Sequence, residues 1–295
     1  MLVLLVCAGC VEGMAPPTHA LSSTFGSTCR GAVVAGCVEM RTTVVGGQGG
    51  TASPVVRELQ MNLCNSGMAG CYRDDRSLAE AAELITRYTA SVVTLNEICA
   101  GNVLGTGAAI PSAMAGIARR QGDAMVFAVF TPAVNRYTEM PYRCVNGDMY
   151  GIGIVGRGRA GTPAHYLYQR QFAQSDEERA AVCVPVGGYD ICTTHLESDN
   201  SAVAIGQCHE LMDRGGHVST FRRAAGDRPT IVAGDFNLAP AGTPDIRDCL
   251  PAGWVRRGDG GVQYVLATGL AVTSTQTVHM RYTDHPALVT ELTIG

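Results

Sequence analysis

Residues 55–98 read as strand, helix, strand, and that order restricts the fold more than any other feature of the chain. "VVRELQMNL" (55–63) is strand-like, and "SVVTLNEI" (91–98) returns to a β-branched strand. Between them "SLAEAAELITRYTA" (77–90) has helical spacing, with Leu78, Ala82, Ile85 and Tyr88 on one apolar stripe and a capping box from Ser77 to Glu80. Strands that alternate with helices point to an α/β protein. Further elements follow: a helix at 111–121, strands at 124–130 and 150–157, a hairpin over 182–195, and a helix at 202–216 closed by glycine. Four more strands are expected at 229–233, 262–267, 270–278 and 286–293. With 46 % apolar residues, 16 % charged residues and 36 glycines, the chain suits a turn-rich domain with buried sheet. No linker or internal repeat interrupts 51–295, so one domain of two packed sheets with outer helices is expected there.

The N-terminal region reads differently. "MLVLLVCAGC" is an apolar run of secretory length followed by "APPTHA", whose Thr18 and Ala20 offer small residues to a signal peptidase. Residues 1–20 are therefore expected to be a signal peptide and 21–50, rich in Gly, Ser and Thr, a flexible lead-in; Cys10 is an alternative lipid-anchor site. Ten apolar residues are too few to span a bilayer, and no transmembrane segment is expected. Past residue 20 there are ten cysteines, an even number that in an exported chain suggests disulfides. "CVPVGGYDIC" is strand, Gly-Gly, strand, so a two-residue turn at Gly187-Gly188 sets Cys183 opposite Cys192 in a non-hydrogen-bonded pair. Cys64 and Cys71 bracket a short loop. Nearest-neighbour pairing would complete the set as 29–37, 99–144 and 208–249, although sequence does not fix those three. No CxxC spacing favours a thiolate metal site.

Several strands end in polar residues that packing does not require: Asn62 in "LQMNLC", Glu97 in "VTLNEI", His195 in "CTTHLES", and Asp235 with Asn237 in "AGDFNLAP". "YTDHPALV" adds Asp284 and His285 ahead of the last strand. A strand-end aspartate is usually a turn residue and a lone histidine usually a hydrogen-bonded structural group, but so many such ends in one domain call for another account. A hard divalent cation takes oxygen ligands. Hydrolysis of a phosphoester also needs a positioned water, a base, and donors to the developing charge. The chemical types present supply that set.

The order Asn, Glu, "THL", "GDFN", "DHP", running from about Leu59 to Thr290, resembles the endonuclease/exonuclease/phosphatase superfamily, whose members include pancreatic-type DNase, abasic-site endonucleases and cytolethal distending toxin nuclease subunits. The resemblance implies an α/β fold built as a four-layer α-β-β-α sandwich of two mixed β-sheets, with the site at one edge of both. It assigns Asn62, Glu97 and Asp284 to a metal, with Mg²⁺ first and Mn²⁺ or Ca²⁺ as alternatives. Asp235 would align and deprotonate the attacking water and Asn237 orient it or contact the phosphate. His195 and His285 would touch the scissile phosphate as acid and base, with Asp284 in the same network. Arg157, closing "YGIGIVGR", is a weaker phosphate-contact candidate beside the alternative of a surface ion pair. One position departs from the pattern: where the family has an aspartate that accepts a hydrogen bond from the "DH" histidine, this chain has Gln263. Its carbonyl is expected to accept the imidazole N–H, without a charge to stabilise an imidazolium.

These readings make the chain a secreted, metal-dependent phosphodiesterase, an endonuclease hydrolysing DNA phosphodiester bonds by an activated water, and a monomer with no stable protein partner. The alternatives are a phosphatase or phospholipid-type phosphodiesterase of the same fold, and a non-catalytic binding relative. All 22 basic residues are arginines and the net charge is −4, so any groove for a polyanion must be local. The arginine pairs at 119–120, 222–223 and 256–257 are candidates to line one, against the ordinary reading of solvated surface.

Overall fold

A computed structural model describes residues 55–123 and 125–294 in full, and the backbone of residues 22–24 and 36–41. In chain order the strands are β1 (Ser22–Thr24), β2 (Gly36–Arg41), β3 (Val55–Asn62), β4 (Val92–Cys99), β5 (Met125–Pro132), β6 (Val134–Asn135), β7 (Tyr150–Arg157) and β8 (Ala164–Leu167). They continue as β9 (Glu177–Glu178), β10 (Ala180–Val186), β11 (Tyr189–His195), β12 (Thr230–Asp235), β13 (Val255–Gly258), β14 (Gln263–Thr268), β15 (Leu270–Val278) and β16 (Ala287–Ile294). The helices are α1 (Arg76–Tyr88), α2 (Ala100–Leu104), α3 (Ala109–Gln121), α4 (Ser201–Met212) and α5 (His217–Ala225).

Two sheets carry the architecture. One has the order β1-β2-β5-β7-β4-β3-β16-β15 and the other β13-β14-β12-β11-β10-β8. Both are mixed, because β3 pairs with β4, and β11 with β12, in parallel while their other neighbours are antiparallel. Ala81, Leu84 and Ile85 of α1 and Met114, Ile117 and Ala118 of α3 pack with Leu59, Met61, Val93 and Leu95 on the outer face of the first sheet. Cys208, Leu211 and Met212 of α4 and Val218 and Phe221 of α5 cover the second. Val56, Val92, Ile154, Val182, Ile191, Ile231, Val265 and Leu288 fill the space between the sheets. The result is the four-layer α-β-β-α sandwich that the resemblance implies, and it agrees with the two packed sheets and outer helices expected from the residues. Among the described residues no helix is long and apolar enough to cross a membrane.

Several local expectations change. The capping box at Ser77 does not form: the helix starts one residue earlier after Asp75, which takes φ 60 and has no side-chain cap bond. The Glu80 carboxylate is drawn away to accept the backbone N–H groups of Arg281 and Tyr282, where two donors replace the one a capping box offers. The stripe accordingly centres on Ala81, Leu84 and Ile85. Strands at 22–24 and 36–41 fall inside the stretch expected to be a lead-in; β2 pairs antiparallel with β5, so sheet pairing starts before the expected boundary at Thr51. The signal peptide and Cys10 lie outside the described residues. So do Cys29 and the side chain of Cys37.

Four disulfides are present among the described residues: Cys64–Cys71, Cys99–Cys144, Cys183–Cys192 and Cys208–Cys249. Cys183 and Cys192 face each other across β10 and β11 with Cα atoms 4.0 Å apart, as counting out from the Gly187-Gly188 turn requires.

Gly234, inside β12, is fixed by contact rather than by a turn: a Cβ there would lie 2.1 Å from the carbonyl oxygen of Thr194 on β11. Backbone cannot yield as a flexible side chain does. Gly234→Ala is therefore expected to destabilise the fold by about 1–3 kcal/mol, the usual range for overpacking, measured as a drop in the urea midpoint at constant m-value; an unchanged midpoint would contradict the close strand approach.

Candidate functional site

On each strand alternate side chains point between the sheets. The inward rows begin with apolar residues and finish polar at one edge: Val56 to Asn62 on β3, Val92 to Asn96 on β4, Ile191 to His195 on β11, Ile231 to Asp235 on β12, and Ala267 to Gln263 on β14. Residues from both sheets converge there on an open cavity of about 400 Å³ lined by Glu97, Glu177, Arg179, His195, Asp235, Asn237, Asp284 and His285, among others. A larger cavity of about 580 Å³ lies beside α4 and the start of α5 and contains none of the expected site residues.

Glu97 enters this cavity because β4 is irregular between Leu95 and Ile98 and Glu97 itself takes φ 52. A bulge with a left-handed residue re-aims one side chain without moving the strand. Its carboxylate accepts a hydrogen bond from Asn62 Nδ2 at 2.8 Å. Burial, and the Asp235 and Asp284 carboxylates, push its pKa up against the effect of that bond and of Arg179. Asn62 also donates to Asp235 Oδ2 at 3.1 Å, while its carbonyl oxygen accepts Cys64 N–H at 3.1 Å. The amide thus shows its nitrogen to the carboxylates, opposite to the orientation expected for a metal-binding carbonyl. The Cys64–Cys71 disulfide packs within 4.8 Å of the Glu97 carboxylate, and the loop that it closes brings Ser66 and Met68 to the cavity wall.

Asp235 is 1 % exposed. Oδ1 accepts Asn237 N–H at 3.1 Å and Oδ2 accepts Gln263 Nε2 at 2.6 Å. Burial raises its pKa, and the surrounding donors and His285 hold the rise in check. Asn237 takes φ 51 and is pinned by its amide on the Leu196 carbonyl at 2.9 Å. His285 is half-buried, with Nε2 3.6 Å from Asp235 and 3.8 Å from the exposed Asp284. Gln263 faces His285 Nδ1 with its nitrogen, at 3.4 Å. This corrects the expected geometry, because the Gln263 carbonyl is already taken by Gln60 Nε2 at 2.8 Å.

Arg179 is the residue that sequence reasoning missed. Its buried guanidinium lies 3.0 Å from Glu177 and 2.9 Å from His195 Nδ1. A guanidinium only donates, so Nδ1 must be the acceptor and the neutral ring carries its proton on Nε2. Burial first, then the nearby Arg179 and His285, hold the His195 pKa well below the ordinary histidine value. His195 is thereby set up as a neutral donor rather than as a base. The signal was available: counting back along the hairpin from Gly187-Gly188 sets Ala181 opposite Thr194 and brings Arg179 beside His195.

Arg157 sits elsewhere. It ion-pairs with Asp123 and donates to the Ala90 carbonyl at 3.0 Å, next to the Gly187-Gly188 turn. That turn is at the far end of β11 from His195, seven residues or roughly 20 Å away. Arg157 is held in that ion pair, away from the cavity. The arginine pairs do not line the cavity either: Arg119 and Arg120 end α3, Arg222 lies over Trp254, and Arg256 over Tyr264.

In an Arg179→Met variant the pH at which His195 takes up a proton should rise without reaching the ordinary histidine value, since burial is the larger cause. Imidazole ¹⁵N NMR titration reads this directly, and an unmoved His195 would show that the guanidinium does not control it.

The architecture has counterparts among solved structures. An endonuclease/exonuclease/phosphatase protein from Beutenbergia cavernae matches with a TM-score of 0.55 and 18 % identity over 82 % of this chain and 72 % of that one. The human Nocturnin catalytic domain with bound sulfate gives 0.55 and 15 % over 82 % and 95 %. ANGEL2, described as a 2′,3′-cyclic phosphatase, gives 0.56 and 11 % over 89 % and 99 %. No protein-family model and no curated protein matches the sequence. At these identities the shared property is the architecture: the chain has the endonuclease/exonuclease/phosphatase fold.

Proposed function

We propose that this protein is an exported, metal-dependent phosphodiesterase that hydrolyses DNA. The observation that carries the reading is the convergence of Glu97, Asp235, Asn237, Asp284, His195, His285 and Arg179 on one cavity at the edge of both sheets. Three carboxylates whose charges oppose one another favour a bound divalent cation, and an oxygen-rich donor set suits Mg²⁺. Glu97 and Asp284 would hold it. Asn62 would join them after rotation of its amide. Such a cation supplies charge stabilisation to the phosphoryl oxygens.

The chain's own residues divide the remaining work. Asp235, with each carboxylate oxygen held by donors, orients the attacking water and accepts its proton; its raised pKa makes it a stronger base than an exposed aspartate. Asn237 is anchored beside it to position the same water or a phosphate oxygen. The Nε2–H of His195 and the Arg179 guanidinium are donors for the non-bridging oxygens, where negative charge grows in the transition state. His285, alongside Asp235, completes the contact with phosphate. Export is supported by the apolar leader and by four disulfides, which persist in oxidising compartments.

Purified protein is expected to nick supercoiled plasmid with Mg²⁺ and to stop with chelator. An Asp235→Ala, His285→Ala double variant should lose on the order of 10²–10⁴ in rate, the range for a positioned acid or base. Cleavage that survives the double substitution would overturn the site. Failure on DNA combined with metal-dependent release of phosphate from a phosphomonoester, or of a phospholipid head group, would move the substrate and keep the chemistry.

A further inference from the structure

The cavity of about 580 Å³ beside α4 plays no part in the proposed reaction. It falls in the size range of small-ligand sites, and one arginine is built into its wall. Arg170, in the loop between β8 and β9, is exposed, and its guanidinium has no hydrogen bond or ion pair among the described residues. Helix α4 is adapted to this arginine at two positions on one face, four residues apart. Gly206 is inside the helix, where glycine is less favourable than alanine; a Cβ there would overlap Arg170 Cδ and lie 3.1 Å from Nε and Nη1. Glu210, one turn on, accepts the backbone N–H of Gln169 at 2.7 Å and of Arg170 at 2.8 Å, one on each carboxylate oxygen.

The helix therefore holds the main chain of Arg170 and clears a seat for its side chain, yet gives the guanidinium no ion-pair partner. Packing alone would be met as well by an uncharged side chain. His209 lines the same cavity, with Nδ1 3.0 Å from Asp213 Oδ1 and Nε2 without a partner among the described residues. The carboxylate only accepts, so Nδ1 carries its proton, and a second proton on Nε2 makes that nitrogen a donor too. Donors left free in this way suit an anion, and the guanidinium fork matches phosphate oxygens. The place of the cavity indicates where such phosphates come from: Ser198 lines the catalytic cavity and Ala202 lines this one. Four residues reach at most about 14 Å, the axial length of about four nucleotides of a DNA strand.

We infer that Arg170, seated on Gly206, is the centre of a second binding site, a subsite for backbone phosphates of the DNA strand that flank the one cleaved. The inference rests on the reading of DNA as the substrate, and it makes that substrate a polynucleotide long enough to reach both cavities rather than a mononucleotide. The contact is to phosphate, so it adds affinity and register without base preference.

The test measures binding of a labelled DNA oligonucleotide by fluorescence anisotropy, with chelator present so that nothing is cleaved, over a series of salt concentrations. Arg170→Ala should weaken binding about tenfold, the equivalent of one charge-assisted hydrogen bond, and reduce the slope of log K against log salt by about one. Gly206→Ala should weaken binding in the same direction, because its methyl group displaces the arginine, while its urea midpoint stays at or above that of the wild type. That combination separates loss of the seat from damage to the fold. Wild-type affinity and slope in Arg170→Ala overturn the subsite, even if inorganic phosphate binds in the cavity. Wild-type affinity in Gly206→Ala overturns the seat. A wild type that does not bind DNA removes the DNA reading and the subsite together, whereas Arg170-dependent binding without cleavage in Mg²⁺ keeps the subsite and removes the hydrolytic reading.

Discussion

The structure depends on a polar seam between two sheets. Asn96, fully buried at the end of a β4 row, donates to the Thr194 carbonyl of β11 at 2.8 Å and accepts the Asp235 backbone N–H of β12 at 2.9 Å. One amide side chain of the first sheet therefore holds the backbone of two strands of the second. Removing either of its partners would leave a buried polar group unpaired, at a cost of roughly 1–3 kcal/mol each. That cost resists sliding of one sheet over the other, and every candidate site residue is mounted on one sheet or on the loops at its edge.

Local geometry around the seam stores some strain. Cys64, Glu97 and Asn237 are non-glycine residues with φ of 46, 52 and 51, a conformation that L residues visit at a cost. All three are next to the cavity, and each is held by neighbours: Cys64 by its disulfide and by Asn62, Glu97 by Asn62, and Asn237 by Leu196 and Asp235. The Glu80 carboxylate acts similarly at longer range. By accepting the N–H groups of Arg281 and Tyr282 it fixes the loop that presents Asp284 and His285.

Much of the fold was legible in the chain. Strands β7 and β15 span the residues expected from the sequence, and the hairpin turn at Gly187-Gly188 carried its own register. The 217–225 helix, the 164–167 strand and the 255–258 edge strand were not seen, since each is short and takes its order from tertiary contacts rather than from its own periodicity. Arg179 was obscured by its surroundings, because "DEERAAV" looks like solvated charge until the hairpin brings it against His195. Arg157 was the reverse case: a charged residue ending a strand looked available, and Asp123 occupies it.

The sequence alone determined the α/β order, the disulfide partners closest in the chain and the residues that gather at the strand ends, because these follow from period, spacing and side-chain chemistry. It did not determine what those side chains face. In "VVRELQMNL" the alternation separates Leu59, Met61 and Leu63 from Glu58, Gln60 and Asn62, but it does not say what the second face meets. The tertiary structure covers that second face with another sheet, and burial changes the chemistry of the row: the Glu58 pKa is pushed up, amides acquire a fixed direction, and Gln263 becomes a donor to Asp235. Hydrogen-bond direction is set by which partners lie within reach on both sides, and that information exists only once the two sheets have met.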